Sequence, residues 1–180
     1  MKKIIILLWL AALTTTLHAQ KAQMLFYGII EEGIVASTPN DGMKRKKQNV
    51  QPMERVRVRV YSDGELISTT ESKESGFYGV LLKSGANYEV VFEKDGFFSR
   101  KFEMNCRKLE RPVDGGALKC PLDIEMYKTV ESAELKRMSE KTFGTCSVIR
   151  TDIQWNRDFI VKNKAKFLEI AKPLYEQNEK

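Results

Sequence analysis

From Glu54 onward, apolar and polar side chains alternate with a period of two, and turn signals interrupt that alternation at close spacing. Val56, Val58 and Val60 alternate with Arg57, Arg59 and Tyr61, so one face is apolar and the other solvated. That period belongs to a β-strand with a single buried face and is incompatible with a helix. Asp63-Gly64 forms a tight hairpin turn into a strand over 65–70. A polar loop then leads through Gly76 to a strand over 77–82, with Tyr78, Val80 and Leu82 on one face. Ser84-Gly85-Ala86-Asn87 turns the chain into Tyr88, Val90 and Phe92, and Asp95-Gly96 turns it again. Phe98, Phe102 and Met104 line the next strand, interrupted by Arg100. Upstream, Met24 to Ile30 is a first strand containing Gly28. Downstream, Cys120, Leu122, Ile124 and Met126 define a last one. Seven short strands and their turns predict a mainly β protein, a seven-stranded antiparallel sandwich. No amphipathic helix lies between the strands, which excludes an alternating α/β layout.

After residue 127 the pattern changes. Residues 129–141 are charged and read as a short helix or a loop, and 147–154 is a candidate eighth strand. Residues 158–177 have helical periodicity, with Ile160, Val161, Phe167, Leu168, Ile170, Ala171, Leu174 and Tyr175 on one side. Asn156 or Asp158 is placed to cap this C-terminal helix, and Pro173 is expected to kink or end it near its last turn. The apolar side is expected to pack on the sandwich, with docking of a partner as the alternative.

The N-terminus has the layout of a cleavable export signal over 1–19. Lys2 and Lys3 precede an apolar run from Ile4 to Leu13, and Ala19 supplies the small residue at the cleavage point. The apolar run is shorter than the roughly 20 residues a membrane-spanning helix needs. The organisation is then a signal over 1–19, a sandwich domain over 20–127 and a C-terminal extension over 128–180. The localisation expected is the periplasm, the outer envelope or the exterior, with no transmembrane segment in the mature chain.

The formal charge of +6 drops by two when Lys2 and Lys3 leave with the signal. The remaining excess does not argue for nucleic acid. The single histidine is His18, inside the signal, so the exported chain has none. This removes Ser-His-Asp and Cys-His catalysis and histidine metal ligation together. The expectation is a non-enzymatic protein without a cofactor.

Three cysteines remain, and an oxidising compartment permits disulfides between them. Cys106 and Cys120 fall at the end of one predicted strand and the start of the next. If those strands form a hairpin, a Cys106–Cys120 disulfide closes the intervening loop and contributes about 3 kcal/mol. Cys146 is then left over. Within a long polar loop over 31–51, Lys44, Arg45, Lys46 and Lys47 form a basic run, read as a solvated loop or an anionic-surface patch. Trp155 is either an anchor for the extension or a carbohydrate-stacking platform. Asp152 and Asp158 are the only pair singled out for a hydrolase working through carboxylates alone.

Residues 51–98 resemble the carboxypeptidase regulatory-like domain, a transthyretin-like, immunoglobulin-like β-sandwich common in exported bacterial proteins. Pro52 and Val56 to Val60 match its opening strand, and Gly76 and Tyr78 match its "GxY" step. Leu82, Gly85 and Tyr88 match the next turn, and Val90, Phe92, Lys94, Gly96 and Phe97 match the close. Gly28 matches the glycine of the family's first strand. Arg111 to Ala117 and Asp123 to Tyr127 are similar to the corresponding parts of small exported Bacteroidetes proteins that carry this domain and a Lys-rich C-terminal helix. The resemblance implies a binding scaffold and points away from the histidine-dependent ureide hydrolases of transthyretin-like fold. The role expected is a binding or assembly module of the cell envelope, contacting an envelope protein. The alternative is a module for carbohydrate or a polyanion such as lipopolysaccharide, through Trp155 and residues 44–47.

Overall fold

A computed structural model describes residues 21–35 and 51–178. The expected signal, 1–19, lies outside the described residues, as do Lys44, Arg45, Lys46 and Lys47 of the basic loop. The strands are β1 (Gln23–Glu32), β2 (Arg57–Ser62), β3 (Glu65–Glu71), β4 (Phe77–Lys83), β5 (Asn87–Glu93), β6 (Arg100–Leu109), β7 (Leu118–Pro121), β8 (Ile124–Met126), β9 (Thr142–Arg150) and β10 (Asp152–Trp155). The helices are α1 (Ala133–Ser139) and α2 (Arg157–Asn178).

The protein is mainly β with two sheets and a C-terminal helix. The expected seven antiparallel strands are corrected to ten in mixed sheets among the described residues. One sheet runs β4-β1-β7 with β8 also on β1, and the other runs β10-β9-β6-β5-β2-β3. β7 and β8 pair with β1 in parallel, and β9 pairs with β6 in parallel. Parallel neighbours need a long crossover, here supplied by β7, β8 and α1 between β6 and β9.

The last strand expected over 120–127 is split because Asp123 interrupts its ladder. Leu122 N–H donates to the Tyr27 carbonyl (2.9 Å), and the Asp123 carboxylate accepts from Ile29 N–H (2.9 Å). The chain passes so close that a Cβ on Gly28 would sit 1.9 Å from the Leu122 carbonyl oxygen. Residues 147–154, read as one strand, instead span a hairpin between β9 and β10. Arg150 turns it in a left-handed conformation (φ 58°).

The alternation sorts side chains as expected. Phe26 and Tyr78 from the smaller sheet meet Phe92 and Phe102 from the larger one between the sheets. Edge-on ring contacts of 4.9–6.4 Å join them. Asn156 caps α2 by accepting from Phe159 N–H (3.1 Å). Pro173 does not end the helix, which continues to Asn178. The carbonyl its ring leaves without a donor belongs to Glu169, on the exposed side. Ile160 at the start of α2 reaches β9, where a Cβ on Gly144 would lie 2.9 Å from its side chain. Farther along, Phe167 and Ala171 join Phe98, Tyr127 and Leu135 in a second, smaller core.

The expected Cys106–Cys120 disulfide is also corrected. All three cysteines are free and buried. The premise was a β6–β7 hairpin, but β7 joins β1 in the opposite sheet, so the two residues do not share a hairpin.

Candidate binding surfaces

Trp155 ends β10 half-buried. Its ring lies 6.0 Å from Phe26 and 6.3 Å from Phe102, which ties the extension into the main core. Asp152 is exposed and accepts from Gln154 (2.8 Å), while Asp158 sits in the first turn of α2. Among the described residues, no group of three or more His, Cys, Asp or Glu is arranged to hold a metal ion. None of the described helices is long and apolar enough to cross a membrane.

Two surfaces stand out instead. The first is β3, which among the described residues pairs only with β2 and is the outer strand of the six-stranded sheet. Asp63 (φ 51°) and Gly64 (φ 83°) make the left-handed turn that folds it back on β2. Opposite the step from Val60 to Tyr61 the register shifts, so Ile67 is the extra residue of a bulge. Leu66 is 54% exposed and Ile67 52% exposed. Glu65 and Glu71 are exposed at the two ends of the strand. Apolar side chains on an outer strand with unpaired backbone groups are the features of a strand-pairing site.

The second surface is a groove of about 910 Å³ between α1 and the solvated face of the larger sheet. Its basic lining is Arg55, Arg57, Arg59, Lys94 and Lys136; its acidic lining is Glu93, Asp95, Glu131 and Glu140. Next to Arg55 in the fold, buried Ser72 donates to the Met53 carbonyl (2.6 Å) and accepts from Val56 N–H (2.9 Å). Arg55 N–H donates to the Ser72 carbonyl (3.0 Å), which helps hold Arg55 left-handed (φ 55°). Such a conformation in a residue other than glycine marks a position worth testing. Arg59 is engaged by Glu93 (3.1 Å), and a hydrogen bond with Tyr61 together with Glu93 raises its pKa. Lys94 donates to the Glu54 carbonyl (2.6 Å). Arg55, Arg57 and Lys136 make no ion pair among the described residues.

Sequence reasoning missed both surfaces, though each left a trace. The adjacent Leu66 and Ile67 break the polar-apolar alternation, and Arg57 and Arg59 occupy successive outward positions on β2. The convergence of Lys94 and Lys136 on those arginines had no local signal. The chain matches no family model and no curated protein.

Proposed function

We propose that this chain is an exported, non-enzymatic binding module of a bacterial cell envelope, and that it docks an extended segment of another envelope protein along β3. The β3 strand carries this reading: it has a free edge among the described residues and two half-exposed aliphatic side chains. A partner strand would gain main-chain hydrogen bonds along β3 and apolar contact at Leu66 and Ile67. Glu65 and Glu71 favour a segment with basic ends. In antiparallel self-pairing about the strand's centre they would oppose each other, which disfavours a second copy.

We read the architecture as the transthyretin-like, carboxypeptidase regulatory-like sandwich that residues 51–98 resemble. The two sheets around one core support that reading. The periplasm or outer envelope follows from the export signal read over 1–19.

The test is a pull-down from solubilised envelope of the native organism, comparing the chain with a Leu66→Lys/Ile67→Lys variant. Recovery of one or two stoichiometric proteins by the first and loss of both by the second is expected. Equal recovery by both removes β3 as the docking site. The groove's bases without an ion pair among the described residues, Arg55, Arg57 and Lys136, favour a second reading, a polyanion such as lipopolysaccharide. Salt-sensitive retention abolished by Arg57→Glu and Lys136→Glu, with the β3 variant unaffected, would select it.

A further inference from the structure

The Cys106, Cys120 and Cys146 side chains all enter the main core, from three strands of two sheets. Cys120 stands beside Phe26 in the smaller sheet, and Cys146 stands beside Trp155 and Met104 in the larger one. The Phe26 and Trp155 rings meet across the gap at 6.0 Å, so Cys120 and Cys146 enter the core from opposite sheets, each beside one ring of the same contact. The two side chains are near enough to perturb each other's titration. Cys106 is related differently. It lies two positions past Met104, the register partner of Cys146, on the neighbouring strand. Diagonal neighbours in a sheet are about 7–8 Å apart, whereas a disulfide needs a Cβ separation of about 3.5–4.5 Å.

We propose that Cys120 and Cys146 close an inter-sheet disulfide as the chain folds, by exchange with a disulfide-bearing oxidant, and that Cys106 stays a thiol. An oxidising compartment rests on the export reading above; the geometry stands without it. One thiolate of the pair attacks one sulfur of the oxidant R–S–S–R, giving a mixed disulfide and releasing RS⁻. The other cysteine's thiolate then attacks the protein sulfur of that mixed disulfide, forms the protein disulfide and expels the second RS⁻. The two cysteine protons end on two RSH, so the protein loses two electrons and the oxidant gains them.

Burial pushes Cys106 up to about 12 and leaves it a poor nucleophile. Exchange must precede complete burial, because Cys120 and Cys146 are closed to solvent in the folded chain.

The experiment refolds the chain in a buffer of oxidised and reduced glutathione, blocks remaining thiols, digests without reduction and maps the peptides by mass spectrometry. A Cys120 peptide joined to a Cys146 peptide is expected, with Cys106 alkylated. Reduction should lower the melting temperature by roughly 5–10 °C. The Cys106→Ser variant should keep both the linked peptide and that shift. Three alkylated thiols, or any linkage through Cys106, overturns the assignment. Because no partner or membrane is present, failure here leaves the β3 docking result untouched.

Discussion

The main core and the smaller core under the helices solve the same packing problem with different materials. Between the sheets, Phe26, Tyr78, Phe92 and Phe102 are lodged among Val, Leu and Met side chains, and burial of apolar surface stabilises the arrangement. In the smaller core, Phe98, Tyr127, Leu135, Phe167 and Ala171 pack together, and two of its rings, Tyr127 and Phe167, also cover a cation. Arg100 is 2% exposed, and its guanidinium carbon lies 5.2 Å from the Tyr127 ring, 4.5 Å from Phe143 and 4.4 Å from Phe167. Its Nε donates to the Glu125 carbonyl (3.3 Å), and one Nη2 finds no partner. Around it the Glu125 carboxylate accepts from Lys164 and from the Tyr127 hydroxyl, both at 2.6 Å. Burial raises the Glu125 pKa, but these two hydrogen bonds and the nearby charges outweigh it and hold the group low. The helix is thus docked partly by aromatic faces on a charge, an interaction worth about 2 kcal/mol when desolvated, and partly by ordinary burial.

The largest separation between the two cores should come from Phe92→Ala, which removes the ring that touches Phe26, Tyr78 and Phe102. A loss of about 3–5 kcal/mol is expected, read as a lower urea midpoint for the whole transition. Arg100→Ala is expected to cost about 2–4 kcal/mol, through lost volume and lost contact with three rings. Arg100→Met should stay within about 1 kcal/mol of the parent, because a buried charge replaced by an apolar chain of similar size is often neutral. Equal damage from both substitutions would show that the charge itself holds α2.

Gly144→Ala probes the seam where α2 meets the larger sheet. Its Cβ would fall 2.7 Å from the Phe102 ring and 2.9 Å from Ile160, for an expected cost of about 1–3 kcal/mol. Hydrogen exchange should rise along α2 before it rises in β5 and β6; a simultaneous rise would make the two cores one cooperative unit.

A small effect is expected from Tyr175→Phe, at about 1 kcal/mol near neutral pH, because the hydroxyl donates to the Lys128 carbonyl. Burial pushes Tyr175 up to about 12 and raises Tyr127 and Tyr78 as well. Unfolded tyrosines ionise near 10, so the stability these groups contribute is full below about pH 10 and falls as the pH rises towards their folded values. Arg100, held down to about 10 by burial, acts in the opposite sense over that window, since the unfolded chain then carries the extra proton. Urea midpoints from pH 9 to 11.5 should fall for the parent and fall less steeply for Tyr175→Phe. An identical slope would assign the alkaline loss to the remaining raised tyrosines, Tyr78 and Tyr127.

The difference between the cores also marks what was legible in advance. The alternation of Val58, Val60, Val90 and Phe92 identified inward residues correctly, and the Asp63-Gly64 turn was located from two letters. Arg100 registered only as an interruption between Phe98 and Phe102, although it occupies an inward position opposite Phe92. A lone arginine in a strand reads as solvated unless the rings that cover it are known, and Tyr127, Phe143 and Phe167 come from three distant segments. The β3 edge was half legible, through Leu66 and Ile67. The groove was not, because its bases come from β2, a turn and α1.

By itself the sequence determined which apolar side chains of β2 and β5 face inward, where the hairpin turn before β3 falls and that a helix follows the last strand. These follow from steric preferences acting within a few residues, such as the two-residue pleat and the left-handed turn at Asp63-Gly64. Tertiary structure alone decided that β7 joins β1, that β9 lies parallel to β6, and hence which thiols face each other and what surrounds Arg100. Strand pairing is a choice among segments far apart in the chain. It is settled by shared burial once all of them are present, so no single stretch of residues records it.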